Sequence, residues 1–475
     1  MTRYERVVAG GRLVTPMGVF EADLAIHDGR IAAIGEGLAG DETIDARGLI
    51  VAPAGVETHC HVAQETGTGL MMADDYASAS HAAALGGTAT IVPFAARTRA
   101  RPVADSLDLY ARRAASSRLD YAQHLILPDA EPETIAALPG AFARGVTALK
   151  VFTTYDGVRV DDAALLAILA AAARHGRLVM VHAENHAMIA HRTAGLVAAG
   201  DLHPRHHAAS HPRLAEIEAI GRCLHLAALV DAPLFIVHVS TAEGAALIAK
   251  ARAGGARVWG ETCTQYLALT EADLDRPARE AAKFVCSPPP RQPADQRQLW
   301  RHLARGTLSV FSSDHAPHRF DATGKFAALP EAAGDDAAVR FDRTANGVPG
   351  IMIRLPYLFS EGVMAGRLTL ERFVALTATN PARLYGLATK GRLAIGADAD
   401  LTLWNAGARW TVPDAALGDR SGYTPYAGLT LTGRPVRTIQ RGTTVMADGI
   451  VTAAEGQGRR LAPTAPDFTD QPGRA

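Results

Sequence analysis

Eight short apolar runs recur along the middle of the chain, and helix-like stretches separate most of them. In order they are VETHCHV, TATIVPFA, AQHLILP, TALKVFTTY, LVMVHAEN, LFIVHVST, RVWGETCTQYL and LSVFSSDHAP. The intervening segments include ADDYASASHAAALGG, DDAALLAILAAAARHG, RLAEIEAIGRCLHLAALV and TAEGAALIAKARAGG. They often start after Asp, Ser or Thr and stop at Gly, the asymmetry of helix caps. Strands apolar along their whole length are buried on both faces, which calls for a parallel sheet covered by helices. Eight such units predict an α/β chain folded as a closed (β/α)8 TIM-like barrel. An open doubly wound sheet is the competitor, but the GxGxxG fingerprint is missing after the first strand, so nothing supports a dinucleotide site there.

The two ends have a different texture. RVVAGGRLV, DLAIHDGRIAAIG and DARGLIVAPAG near the start, and GADADLTLWNAG and PVRTIQRGTTVMADGIV near the end, are short alternating strands broken at glycine turns. They predict a small β-sandwich domain built from residues 1–53 and 391–455, enclosing a barrel over 54–390. Residues 456–475 are polar and proline-rich and read as a loose C-terminal tail.

The 48 basic and 49 acidic residues leave a formal charge of −1, so no basic excess exists to displace counterions from nucleic acid. The four cysteines, Cys60, Cys223, Cys263 and Cys286, are far apart and form no CxxC pair, which fits a reducing compartment. MTRYERVVAGGRL lacks a signal-peptide apolar core, and no apolar run approaches the roughly 18 residues of a membrane span. The expectation is a soluble, cytoplasmic protein without nucleic-acid or membrane partners.

Ionisable residues at the ends of apolar strands are the informative exceptions. His59 and His61 flank Cys60 in the first run, and period-two geometry puts both imidazoles on one face. Lys150 falls in the fourth run, His182 in the fifth, His238 in the sixth and Asp314 in the eighth. Active sites of (β/α)8 barrels form at the C-terminal ends of the strands, from several strands at once. Singly, each residue has a plain structural reading: a hydrogen-bonded core histidine, a lysine snorkelling from a strand end, an aspartate capping a helix in SSDHAPH. His186, His315 and His318 read as supporting or surface residues. Together, the four histidines, one lysine and one aspartate point to a divalent-metal pocket. An ammonium there would repel the metal, whereas a neutral buried amine can add CO2 and become an anionic carbamate ligand.

These stretches resemble the cyclic amidohydrolases, in particular the dihydropyrimidinase and hydantoinase branch. The match runs through DARGLIVAPAGVETHCHV, ALKVFTTYDG, VMVHAENH, IVHVST, ETCTQYL, KFVCSPPPR, FSSDHAPH and NGVPGIMIRLPYLFSEGV in family order. The resemblance implies that His59, His61, carboxylated Lys150 and Asp314 hold one metal, and that Lys150, His182 and His238 hold a second, usually zinc. It implies that Tyr155 hydrogen-bonds the oxyanion and that the main chain at Ser287 and Asn346 grips the cyclic amide. The chain departs from the family pattern at Glu57, where aspartate is usual, and at Thr264 and Ala345, where proline is common.

The expected reaction opens the ring amide of a dihydropyrimidine or 5-substituted hydantoin to an N-carbamoyl amino acid. A hydroxide shared by the two ions attacks the carbonyl, and Asp314 serves as general base and then acid. Leu70, Met71, Met72 and Phe152 are expected near the exocyclic substituent. Cyclic imide hydrolysis and allantoin hydrolysis are the alternatives. A dihydroorotase usually carries arginine two residues after HxH, where this chain has Val62, Ala63 and Gln64. A collapsin-response-type scaffold without catalysis is the remotest reading, because every ligand position is filled. A homo-oligomer, tetramer or dimer, is implied by resemblance alone.

Overall fold

The structure is a computed structural model that describes residues 3–469. The eight apolar runs lie side by side in chain order. Gly55–Glu57 pairs in parallel with Thr88–Ile91, and that segment with Asp120–Tyr121. Phe94–Ala96 then continues the ring through Gln123–Ile126, Val146–Phe152, Leu178–His182, Leu234–Ile236, Val258–Cys263 and Val310–Ser312, again all parallel. The second strand is broken between Ile91 and Phe94, where Pro93 offers no N–H to a ladder. The ring closes from eighth to first strand by a parallel bridge between His315 and Cys60, with the His61 N–H donating to His315 O at 2.8 Å.

The helices start where their caps require. Asp75 accepts from the Ser78 N–H ahead of Tyr76–Leu85, Asp161 from Ala164 ahead of Asp162–Arg174, and Thr241 from Gly244 ahead of Ala242–Ala253. Each satisfies an N–H that a first turn otherwise leaves unpaired. Val103–Ala114, Pro132–Ala143 and Arg213–Leu229 have no side-chain cap, and Pro132–Ala143 also carries Pro139 within it, so no capping residue announces them in the sequence.

The two chain ends meet in one nine-stranded sheet. Its first strand, Arg3–Thr15, forks: residues 3–9 pair with Ala39–Asp45, while Arg12 and Leu13 pair with Ile50–Pro53. Ile50–Pro53 in turn pairs antiparallel with Leu401–Thr411, joining the N-terminal strands to the C-terminal ones. Val8, Leu24, Ile44, Leu401 and Ile439 pack into a core of their own beneath it. The expected sandwich thus takes the form of a single forked sheet.

The C-terminal segment departs from the loose tail expected of it. Gly458 donates to Ser117 O at 2.9 Å, Leu461 to Tyr121 O at 2.7 Å and Thr464 to Gly386 O at 2.8 Å, and the Phe468 ring stacks on Trp259. Proline and charge made it read as solvated, but its backbone N–H groups find partners on the barrel. Residues 470–475 of the expected tail lie outside the described residues.

Candidate metal centre

Glu57 ends the first strand fully buried, and its carboxylate anchors the backbone on both sides of the barrel's closure. It accepts from the His59 N–H at 2.8 Å and the Ser313 N–H at 3.1 Å, and pairs with Arg354 Nε at 3.0 Å. Burial pushes its pKa up against the pull of the Arg354 guanidinium. The backbones carrying His59 and Asp314 are therefore held by one carboxylate.

The histidines are oriented from behind. His59 Nδ1 meets the Glu261 carboxylate and His61 Nδ1 meets Gln64 Oε1 at 2.7 Å. An imidazole that donates from Nδ1 presents a lone pair at Nε2. Both Nε2 atoms face Asp314 Oδ1, His59 at 3.1 Å and His61 at 3.2 Å. Three electron-rich atoms aimed at one another are a donor set for a cation. Burial opposes ionisation of Asp314, but when the imidazoles are protonated the charge and hydrogen bond of His59 and the hydrogen bond of His61 outweigh it, holding the carboxyl well below its usual range. No helix starts at Asp314, so it caps none; it sits instead at φ 46°.

Lys150 does not snorkel. It is 0 % exposed, its Nζ has no hydrogen-bond partner, and it lies 5.0 Å from the Phe152 ring centre and 5.4 Å from that of Phe94. Burial pulls its pKa down from 10.5 to about 8, against the charges of Asp314 and Glu261. His182 and His238 complete the cluster with ring centres 4.5 Å apart, and His238 stands 5.5 Å from His59. His238 Nδ1 has no partner, and burial drives its pKa well below 6.5. His182 Nε2 is bonded to Glu184 Oε2 at 2.8 Å. His238 at φ 39° and Tyr155 at φ 71° join Asp314 in the left-handed region, a backbone cost that clusters at functional sites.

Tyr155, Ser287 and Asn346 come together beside this cluster. Burial pushes the Tyr155 pKa up, while hydrogen bonding with Ser287 and Asn346 pulls the other way. Ser287 Oγ donates to Glu184 Oε2 at 2.6 Å, and Asn346 Oδ1 is buried without a partner. Glu184 is held down to about 2: burial opposes its charge, but the His182 bond, the charge of His211 and the Ser287 bond prevail. Glu184, Glu261 and Gln64 were missed from sequence. Their signals are a carboxylate one strand period after His182, a glutamate inside the apolar run RVWGETC, and an amide three residues after His61.

The remaining residues fall around the edge. Phe152 packs 5.5 Å from the His182 ring and 6.2 Å from that of Tyr155. Leu70, Met71 and Met72 lie in a loop closed by the Thr66 N–H to Leu70 O and the Met72 N–H to Gln64 O, with Met71 exposed and Met72 buried. The facing loop approaches closely at Gly157, where a Cβ would stand 2.9 Å from Gly67 O. His315 Nε2 binds Asp74 Oδ2 at 2.9 Å, His318 Nε2 donates to Asn346 O at 3.0 Å, and His186 Nε2 lies 3.2 Å from Asp156 Oδ1. Thr264 opens the short helix Thr264–Ala268, and Ala345 O accepts from Lys325 Nζ at 2.8 Å.

Comparison with known proteins gives a consistent picture. The model of the amidohydrolase family matches residues 50–445. A D-hydantoinase from Rhizobium radiobacter is 38% identical over 458 residues, covering 95% of this chain and 97% of the relative. A D-hydantoinase from Geobacillus stearothermophilus is 38% identical over 460 residues, covering 96% and 95%. The crystal structure of a dihydropyrimidinase from Brevibacillus agri superimposes with a TM-score of 0.92 at 34% identity, over 97% of this chain and 99% of that one.

Proposed function

The chain belongs to the amidohydrolase family, and on that premise we propose that it opens the cyclic amide bond of dihydropyrimidines and 5-substituted hydantoins, releasing N-carbamoyl amino acids. The similarity to D-hydantoinases and a dihydropyrimidinase supports a cyclic-amide hydrolase. The observation that carries the reading is the convergence of His59 Nε2, His61 Nε2 and Asp314 Oδ1 beside the partnerless Nζ of Lys150.

The donor set fits two divalent ions. His59, His61 and Asp314 would hold one, His182 and His238 the other, and Lys150 as its carbamate would serve both; the imidazole-rich set suits zinc. Such ions supply Lewis acidity toward a ring carbonyl and an activated water at neutral pH. Asp314, a carboxylate throughout that range, takes the proton of the attacking water and hands it to the ring nitrogen as the C–N bond breaks. The Tyr155 hydroxyl donates to the oxyanion, a contribution of roughly 3–4 kcal/mol for one well-placed donor. Ser287 and Asn346 hold the ring amide through their main chain. The substituent at ring position five falls between Phe152 and the 64–72 loop.

The rest of the reading is the setting. Among the described residues no helix is long and apolar enough to cross a membrane, and the four buried free cysteines suit a reducing cytoplasm. A homo-oligomer, tetramer or dimer, belongs to the same proposal.

The test is metal content together with ring opening of dihydrouracil, hydantoin, allantoin and succinimide, after loading with zinc and bicarbonate. About two zinc per chain with turnover of dihydrouracil or hydantoin is the expected result. Preference for succinimide or allantoin replaces the substrate class while keeping the site. The absence of both metal and turnover overturns the reading.

A further inference from the structure

Lys325 lies outside the ligand cluster, in the long connection that follows the eighth strand. It is 0 % exposed, next in sequence to the buried Phe326, and its ammonium reaches the loop that carries Val285. Its Nζ donates to Val285 O at 2.7 Å and to Ala345 O at 2.8 Å. Val285 stands two residues before Ser287, and Ala345 directly before Asn346.

The two loops also touch without the lysine. The Gly347 N–H donates to Val285 O at 3.1 Å. Gly347 sits at φ +132°, and a Cβ there would meet Ala316 Cβ at 2.6 Å, so the 345–347 backbone is seated closely, with His318 Nε2 on Asn346 O and the Tyr423 hydroxyl on Gly347 O. One direct backbone bond joins the two loops, and a side chain reaching both carbonyls adds a second link between them. Burying an amine is expensive unless its donors are satisfied, and its partners here are main-chain carbonyls rather than carboxylates. A position that asked only for packing would take an apolar residue.

We propose that Lys325 is a positioning residue for ring binding: by bridging Val285 O and Ala345 O it fixes the spacing between Ser287 and Asn346, and so sets affinity for the ring rather than the rate of its opening. This deepens the proposed function and rests on Ser287 and Asn346 as the ring-gripping pair. It also gives position 345 a role, because its carbonyl is the acceptor.

The zinc- and bicarbonate-loaded enzyme tests this with Lys325→Met, which keeps the stem and removes the donors, and Lys325→Gln, whose shorter amide reaches one carbonyl. Expected are a KM for dihydrouracil or hydantoin raised about tenfold in the Met variant and by a smaller factor in the Gln variant. The kcat stays within about threefold and the metal content is unchanged. A folded Met variant with the parent's KM overturns the proposal, and so does a joint loss of kcat and metal at constant KM. If the Met variant aggregates, the Gln variant decides by the same KM criterion; aggregation of both overturns the proposal in favour of a purely structural lysine. Failure of the parent to open any ring counts against the proposed function instead, and is read before any variant is made.

Discussion

Three buried lysines in one chain show how environment assigns a role to a residue. Lys390 contacts Asp120 at 2.7 Å, Asp400 at 2.8 Å and Asp398 at 3.0 Å, and those carboxylates outweigh burial to raise its pKa. Lys325 faces carbonyls, and burial pulls it down to about 7. Lys150 faces no acceptor at all and falls to about 8. A partnerless amine of that basicity is half deprotonated near pH 8 and largely so above it, the form that adds CO2. Metal uptake by the apoenzyme at fixed dissolved CO2 is therefore expected to quicken as pH rises through about 8 and to level off above it. Lys150→Ala is expected to lose metal and activity together; a variant with normal metal content refutes the assignment. The ligand candidates were legible because charge inside an apolar run needs a reason. The groups behind them were not: nothing local in the sequence says that Glu261 on the seventh strand will meet the His59 ring from the first.

At the scale of elements, cap residues and glycine stops located three crossover helices closely, because those signals are local, whereas Arg213–Leu229 starts after Pro212 and ends at Val230 with neither signal. What escaped was strand length. The eight runs span more residues than the ladders, since Pro93 interrupts the second strand and the residues after Glu57 and Ser312 leave the sheet to form the site. Closure between first and eighth strands consequently rests on few backbone bonds. Arg354 compensates: buried completely, it pairs with Glu57 and donates to Phe311 O at 2.9 Å. Glu57 has a methylene more than the usual aspartate and still reaches His59, Ser313 and Arg354 together. Removing one member of a buried pair leaves an uncompensated charge, at a cost of about 3–5 kcal/mol. Arg354→Met is expected to lose that much in denaturant unfolding and to bind metal more weakly, because the same carboxylate positions both ligand-bearing backbones. Unchanged stability rules out the closing role.

For the molecule as a whole, the pieces are tied together at the end of the barrel opposite the candidate metal centre. Asp120, at the start of the third strand, receives Lys390, Arg441 of the terminal sheet and the Arg459 N–H of the C-terminal segment. Burial opposes its charge, but Lys390 and Arg441 hold its pKa below 3.8. A carboxyl depressed by folding adds stability that is complete above its ordinary value and fades as pH falls, so the contribution of Asp120 weakens on acidification. The C-terminal segment continues along the same end. Arg460 reaches Arg144 O, Arg177 reaches Thr464 O at 3.2 Å, and Phe468 stacks on Trp259 at 4.9 Å beneath Arg257. Every one of these barrel residues precedes a strand or lies in its first two positions, whereas the candidate ligands lie in the C-terminal half of their strands or beyond them. Removing everything after Glu455 therefore strips backbone bonds and one aromatic contact from the base and touches no ligand. The bonds are worth about 0.5–1.5 kcal/mol each and the ring about 1.5–3 kcal/mol, offset by the entropy of the freed segment. A net loss of roughly 1–3 kcal/mol is expected in denaturant unfolding, with metal content and kcat unchanged. A truncated enzyme that unfolds like the parent, or one that loses its metal, contradicts this division between a stabilising base and a reactive rim.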